Sequence, residues 1–425
     1  MYIKKITQIL RKLEIITYAS VRRTSDWWQN VSLGPPDPIL GLTEAYNLNK
    51  HPKKMNIGVG GYKDDEGKPY VLPCVREAEA IIAGKKMDKD YAPIQGIAEF
   101  NEQSAKLAFG GESYVIRNSL NVTVQAVSGT GALRLGGAFL KNFFPGSKII
   151  YLPSLTWLNH VPVFKHSGLD IKTYKYYDPE TRTLDFCGLM EDIGNMPENS
   201  VILFHPIAHN PTGVDPTREQ WVEISHAVKR KRLLVFFDMA YQGFVTGDLD
   251  ADAASVRLFI DECHHILLAQ TYSKVMGLYG ERIGAFTVIT GSEEEAGRVL
   301  SQLKILIRAM YANPPLHGAR IATEILKSEK LTKQWTDELK GMAQRIISIR
   351  QKLKQGLERE GSTRNWDHVI SQRGMFCFTG LNPEQVKKLT EDFHIYLNTN
   401  GRISIAAVGS NNVDYLAHAI HQVTK

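Results

Sequence analysis

The chain has 425 residues, 43% of them hydrophobic, which is enough for a large core and a second, smaller domain. No run reaches the roughly 18 consecutive apolar residues of a membrane span, and no repeat of solenoid period is visible, which argues against an integral membrane protein and a repeat array. The formal charge of +6 sits at the start: residues 1 to 23 hold Lys4, Lys5, Arg11, Lys12, Arg22 and Arg23 against Glu14, a net +5, and the near-neutral remainder argues against nucleic acid as a partner.

The leader sets Ile3, Ile6, Ile9, Leu10, Leu13 and Ile16 at near-helical spacing among basic residues with one acid. This is the pattern of a mitochondrial transit peptide, expected over residues 1–24 and leading to the mitochondrial matrix, with an N-terminal arm over 25–36. The same pattern also fits an amphipathic first helix packed on the body or lying on a membrane surface. Cys74, Cys187, Cys263 and Cys377 are scattered, with neither metal spacing nor disulfide density, and read as reduced core thiols.

From about residue 70 to 320, apolar runs at Val122–Val127, Lys148–Leu152, Ser200–His205, Leu233–Asp238, His265–Thr271 and Ile283–Ile289 alternate with helical patterns. The order predicts an α/β fold, a mostly parallel sheet flanked by helices. Such sheets collect ligands beyond the carboxyl ends of their strands, where this chain puts Ser128-Gly129-Thr130, Asn210, Asp238 and Lys274. Glu293-Glu294-Glu295 opens a helix through Leu300, Leu303 and Ile307, and one long helix is expected over about 318–358. Residues 37–69 and 342–425 are expected to form the smaller α/β domain, with 374–380 and 401–406 pairing against elements near 37–69, and residues 70–341 the larger one.

The segment Ser128-Gly-Thr-Gly-Ala-Leu follows a strand and opens a helix, an arrangement that cradles a phosphate. It lacks the third glycine of a dinucleotide fingerprint and the Gly-Lys-Ser/Thr of a P-loop. His205 and His209 have an HxxxH spacing, but Pro206 breaks the helix that zinc ligation would need; no metal is expected. Asn210-Pro-Thr-Gly is a turn that can also aim an amide at a ligand. Asp238 ends an apolar strand either as a helix cap or as the partner of a buried cation such as a protonated pyridine, with Tyr241 three residues on. Lys274, between a strand-like run and a glycine-punctuated turn carrying Arg282, fits a solvated surface lysine as well as a Schiff-base lysine with a phosphate-holding arginine beside it.

Taken in order, Gly34-Pro-Pro-Asp-Pro-Ile-Leu, Gly58-Val-Gly-Gly-Tyr, Ser128-Gly-Thr-Gly-Ala-Leu, Thr156-Trp-Leu-Asn-His, His209-Asn-Pro-Thr-Gly, Phe237-Asp-Met-Ala-Tyr-Gln-Gly, Ser273-Lys, Gly277-Leu-Tyr-Gly-Glu-Arg and Asn313-Pro-Pro resemble the aspartate aminotransferases of the fold-type I pyridoxal phosphate enzymes, most closely the mitochondrial form. The resemblance implies pyridoxal 5′-phosphate on Lys274, which would also shuttle the proton between the substrate α-carbon and the cofactor. It implies Asp238, supported by His160, on the pyridine nitrogen, Asn210 and Tyr241 on the phenolic oxygen, and Trp157 stacked on the ring. Ser128, Gly129, Thr130, Thr271, Ser273 and Arg282 would surround the phosphate, joined by Tyr91 from a neighbouring subunit. Arg402 would hold the α-carboxylate, with Gly60 and Asn210 beside it and Phe376 near the entrance, and Arg308 would be donated across a homodimer to the side-chain carboxylate of a dicarboxylic amino or keto acid.

The implied reaction is exchange of the amino group between L-aspartate and 2-oxoglutarate in two half-reactions. A broader preference for aromatic amino acids or kynurenine, or a catalytically silent binding paralogue, are the alternatives. Val275 stands where asparagine is usual, Ala309 where proline is common and Ala312 where serine is typical.

Overall fold

The computed structural model describes residues 7–8, 11, 26–34 and 40–425. The expected leader, residues 1–24, lies outside the described residues except at positions 7, 8 and 11, and the expected arm is described only at 26–34. The chain divides into two compact units, Met1–Gly41 and Leu42–Lys425. In the first, a short 3-10 turn spans Asp26–Trp28, and Trp27 and Trp28 are exposed.

The second unit is built on seven strands: β1 Asn121–Val127, β2 Ile149–Pro153, β3 Asp170–Tyr174, β4 Val201–Phe204, β5 Leu234–Met239, β6 Ile266–Thr271 and β7 Ile283–Ile289. They form one sheet in the order β1-β7-β6-β5-β4-β2-β3, in which β7 runs antiparallel to both neighbours and every other pairing is parallel. The mostly parallel α/β sheet read from the sequence is the one the chain forms. Its central strands are apolar along their length because helices cover both faces. Edge strand β3, unread in the sequence, is Asp-Ile-Lys-Thr-Tyr, with only Tyr174 buried.

Helix α1, Ser128–Phe143, leaves β1 directly and lies on the sheet. Its approach depends on Gly136, where a methyl would run into the Phe236 ring and come within 2.7 Å of Phe286 Cε2. Gly136→Ala is therefore expected to lower stability by ~1–3 kcal/mol through overpacking, read as a fall in the urea midpoint at unchanged slope.

Beyond the sheet, α2 spans Glu293–Met310, its three leading glutamates at the positive helix end. The single helix expected over 318–358 is instead two, α3 His317–Lys327 and α4 Glu329–Arg359. Ser328 divides them: its backbone is extended and its Oγ accepts from Leu331 N at 3.3 Å, capping α4. Residues 401–406 meet the elements near 37–69 as expected, through Ser404 N to Ile57 O at 2.7 Å and Lys63 N to Ala406 O at 3.0 Å, and 374–380 and 401–406 also pair with each other. Phe376–Phe378 pairs antiparallel with Arg402–Ser404, while Met55–Asn56 takes Ile395–Tyr396 as its parallel partner. Of the four thiols expected in the core, Cys74 and Cys377 are buried and Cys187 and Cys263 are exposed. Among the described residues, no helix is long and apolar enough to cross a membrane.

Candidate active site

The six parallel strands end along one edge of the sheet, and the segments that leave β1, β2, β4, β5 and β6 carry the chemistry. After β1 the chain turns sharply at Ser128, whose φ of 63° is strained for a residue with a side chain. Gly284 on β7 permits the turn, since a methyl there would lie 2.6 Å from the Ser128 carbonyl carbon. Ser128 Oγ lies 3.1 Å from Thr271 Oγ1 and 3.2 Å from Ser273 Oγ, and the last two are 3.1 Å apart. Three hydroxyls thus meet at the start of α1, where Gly129 and Thr130 supply first-turn N–H groups, a donor set suited to a phosphate.

Lys274 follows β6 by three residues. The next residue, Val275, is pinned to α4 because the Trp335 indole donates to its carbonyl at 2.7 Å. The Lys274 amine stands over the Tyr279 ring, 4.7 Å from its centroid. Burial, helped by the charges of Arg282 and Arg402, pulls its pKa down from 10.5 to about 8. An amine so tuned is close to releasing its proton at neutral pH, as a nucleophile or proton carrier must.

The same shift loads the folded apoprotein. The unfolded chain binds this proton more tightly, so the penalty is full below about pH 8 and is relieved as pH rises toward 10.5. At ~1.4 kcal/mol per pKa unit, Lys274→Met should stabilise the apoprotein by about 3 kcal/mol at pH 7, and the gain should vanish near pH 10.5. Urea titrations at the two pH values check this.

Asp238, next to last in β5, places Oδ2 3.0 Å from His160 Nε2, and His160 Nδ1 lies 2.7 Å from Thr156 Oγ1. Burial alone would raise this carboxyl, but the His160 hydrogen bond and charge outweigh it and hold the pKa below the usual carboxylate range. A buried acid that stays ionised is suited to a cationic ring nitrogen. Trp157 meets His160 edge to face at 5.4 Å. His205 Nε2 lies 3.8 Å from the same Asp238 oxygen, and burial, with the His160 charge, pushes its pKa down to about 3, so it is neutral. His205, His160 and Asp238 bring one ligand atom each within 4.8 Å of one another. His209 is turned to Thr212, Nδ1 to Oγ1 at 2.7 Å.

Arg402 is 6% exposed. It donates from Nη1 to Asn210 Oδ1 at 3.2 Å and from Nη2 to Gly58 O at 3.0 Å, while its guanidinium lies 4.2 Å from the Phe376 ring centroid. Its Nε is buried without a partner. Gly60 passes the same ring so closely that a methyl would sit 2.8 Å from Phe376 Cζ. Tyr241 is buried within range of the charges of Arg402 and Asp238, and burial pushes its phenol far up. Tyr91 and Arg308 stand apart from this cluster. Tyr91 is 85% exposed on a cavity of about 610 Å³ that Met87 and Arg320 also line, and Arg308 is exposed on α2 beside Ile94 and Ile305.

Four participants were not assigned from the sequence: the Gly58 carbonyl, the Tyr279 ring, the Tyr62 backbone, whose N–H donates to the Tyr279 hydroxyl at 2.9 Å, and His205 as a neighbour of Asp238. Gly58, Tyr62 and Tyr279 lie inside the quoted motifs, but roles carried by a carbonyl, an N–H or a ring face leave no residue-type signature.

Among the described residues, no carboxylate lies within ion-pair distance of Lys274, Arg282 or Arg402, and the site's acid, Asp238, is taken by His160. Lys274 and Arg402 are largely buried cations without counter-charge, which is costly, and exposed Arg282 adds a third positive charge, so the site is built to receive anions. A hydroxyl nest with Arg282, an ionised buried acid and a low-pKa lysine fit a phosphorylated pyridine aldehyde, pyridoxal phosphate.

The aminotransferase class I and II family model matches residues 52–420. The chain is 58% identical over 407 residues to the mitochondrial aspartate aminotransferase of Gallus gallus, covering 96% of each chain. It is similar in structure to a mitochondrial aspartate aminotransferase from Trypanosoma brucei (TM-score 0.87, 43% identity, 91% of this chain and 100% of that one). It is also similar to an aromatic-amino-acid aminotransferase from Burkholderia pseudomallei covalently bound to pyridoxal phosphate (TM-score 0.91, 41% identity, 94% of this chain and 99% of that one). The chain belongs to the class I and II aminotransferases.

Proposed function

We propose that the chain transfers the amino group of L-aspartate to 2-oxoglutarate, giving oxaloacetate and L-glutamate, in the mitochondrial matrix. The observation that carries this reading is the buried Arg402 guanidinium, unpaired with any acid among the described residues, in the electrostatic range of the depressed Lys274 amine. The mitochondrial aspartate aminotransferases it is similar to, at 58% and 52% identity over nearly full length, support the substrate and the compartment. Pyridoxal phosphate, when bound, supplies an aldehyde that exchanges with the amino group and a conjugated ring that takes up the electron pair left at the α-carbon.

The chain's own residues do the rest. Ser128, Gly129, Thr130, Thr271, Ser273 and Arg282 hold the phosphate, and Asp238, oriented by His160, holds the ring nitrogen in its protonated form. Trp157 covers the ring, and Asn210 and Tyr241 donate to its phenolic oxygen. Arg402 grips the α-carboxylate beside Gly60 and Phe376. The Lys274 amine takes the proton from the substrate α-carbon and later returns one. Arg308 and Tyr91, both on the surface of the chain that carries them, complete the site of a second copy in a homodimer, which exposed Leu158, Val161 and Ile305 help to bury. Residues 42–69 with 342–425 form the small domain and 70–341 the large one, supported by two short strand pairs that stand outside the main sheet; of the stretch expected to begin the small domain, 37–39 lie outside the described residues.

Asp238→Asn removes the carboxylate but keeps the shape. Breaking one side of a buried charged pair is worth about 3–5 kcal/mol, so kcat with aspartate should fall by roughly two to nearly four orders of magnitude at saturating cofactor, read by steady-state kinetics.

The likeness to aromatic-amino-acid aminotransferases favours one second reading, a shared preference for dicarboxylic and aromatic substrates. Steady-state kcat/KM for aspartate, glutamate, phenylalanine and kynurenine separates the two. Aspartate and glutamate far ahead supports the proposal, comparable values support the broader enzyme, and no turnover of any amino acid overturns both.

A further inference from the structure

Tyr279 lies in the Gly277-Leu-Tyr-Gly-Glu-Arg run and has no part in the scheme above, yet three parts of it each touch a different piece of the site. Its ring face lies under the Lys274 amine, Nζ to centroid 4.7 Å. Its phenolic oxygen accepts from Tyr62 N at 2.9 Å. Its carbonyl accepts from Arg282 Nη1, also at 2.9 Å. The Tyr62 bond reaches the segment whose Gly58 carbonyl anchors Arg402, so one residue, through its side chain and its carbonyl, joins the proton-carrying amine, the phosphate-directed arginine and the carboxylate clamp.

We infer that Tyr279 is a positioning residue of the reaction: its ring face steadies the Lys274 amine in its protonated form, and its hydroxyl fixes the amine's loop to the segment that holds Arg402. This rests on the aminotransferase reading of Lys274.

The physical ground is the ring quadrupole. An ammonium within about 6 Å of an aromatic centroid is attracted to the ring face, more strongly when water is excluded. Burial pushes the Tyr279 phenol up to about 12, against a lowering by the Tyr62 N–H, so the ring stays neutral in the working range and acts as a π face. The charged groups acting on the Lys274 amine are Arg282 and Arg402, both of which disfavour its proton. Tyr279 opposes them. A proton carrier must hold its proton between taking it from one atom and giving it to another, and two neighbouring guanidiniums alone would shorten that interval.

The test reads the amine directly. Wild-type, Tyr279→Phe, Tyr279→Leu and Tyr279→Met apoproteins are trace-labelled with acetic anhydride from pH 6 to 10, and acetylation of Lys274 is followed by peptide mass mapping. The ring is kept in Tyr279→Phe, so its Lys274 should titrate as in wild type. Tyr279→Leu and Tyr279→Met keep the site apolar but lose the π face, and the apparent pKa should drop by about 0.5–1.5 units. Two variants guard against one failing to fold.

In the holoenzyme, Tyr279→Phe should raise KM for aspartate with little change in kcat, because only the tie toward Arg402 is cut. A wild-type titration in every variant would overturn the role of the ring, and an unchanged KM in Tyr279→Phe would overturn the role of the hydroxyl. The labelling needs neither substrate nor cofactor, so its failure is distinct from failure of the aspartate reading, which would appear as absent turnover in the wild type.

Discussion

Lys274→Ala is expected to abolish steady-state transamination, lowering kcat by at least ~10⁵-fold, while leaving the fold and phosphate-dependent cofactor uptake in place. Two contributions add. A positioned general base is worth ~10²–10⁴-fold, and in the proposed reaction the same amine would hold the cofactor covalently, so a difficult step would no longer be divided into easier ones. Among the described residues, the groups whose charges act on this position are guanidiniums, Arg282 and Arg402, which stay protonated and cannot take over. The hydroxyls of Ser128, Thr271 and Ser273 contact one another and are unaffected by the change. Cofactor binding measured by equilibrium dialysis should therefore survive, and its loss together with activity would point to a collapsed site.

Arg402 carries the second large effect. Arg402→Leu should reduce kcat/KM by ~10³–10⁴-fold for every amino acid, since truncating one partner of a buried charged pair costs 2–5 kcal/mol or more and here also strands Asn210 Oδ1 and the Gly58 carbonyl. Arg402→Lys should recover little, because one ammonium cannot reproduce the two-pronged contact. Arg308→Ala should behave differently. Its loss should cut kcat/KM for aspartate and glutamate by ~10²-fold and leave phenylalanine within about tenfold. Parallel losses across dicarboxylic and aromatic substrates would remove Arg308 from the side-chain carboxylate.

Much of this was legible in the sequence, for reasons that differ by residue. Six of the seven strands stood out because strands buried on both faces read as continuous apolar runs, such as Leu-Val-Phe-Phe ahead of Asp238. Strand β3 did not, because an edge strand with polar exposed positions resembles a loop. The division at Ser328 was missed since apolar periodicity continues across it and the only local sign is one capping hydroxyl. The short strands of two or three residues near 55, 376, 395 and 402 are held by tertiary contacts and carry no periodicity of their own.

Within the site, Ser128, Asn210, Asp238 and Lys274 were readable from their places after apolar runs, where an α/β sheet exposes its ligands. Arg402 and Arg308 were selected only by resemblance, since an isolated arginine has no pattern that distinguishes a clamp from a surface charge. The structure makes Arg402 distinctive through burial and the lack of an acid partner among the described residues.

The central claim is that Lys274 is the amine that binds pyridoxal phosphate. Holoenzyme saturated with the cofactor, reduced with borohydride and mapped by peptide mass, should carry one pyridoxyl group per chain, on the peptide containing Lys274. An adduct on a different lysine, or none in fully loaded protein, would contradict it.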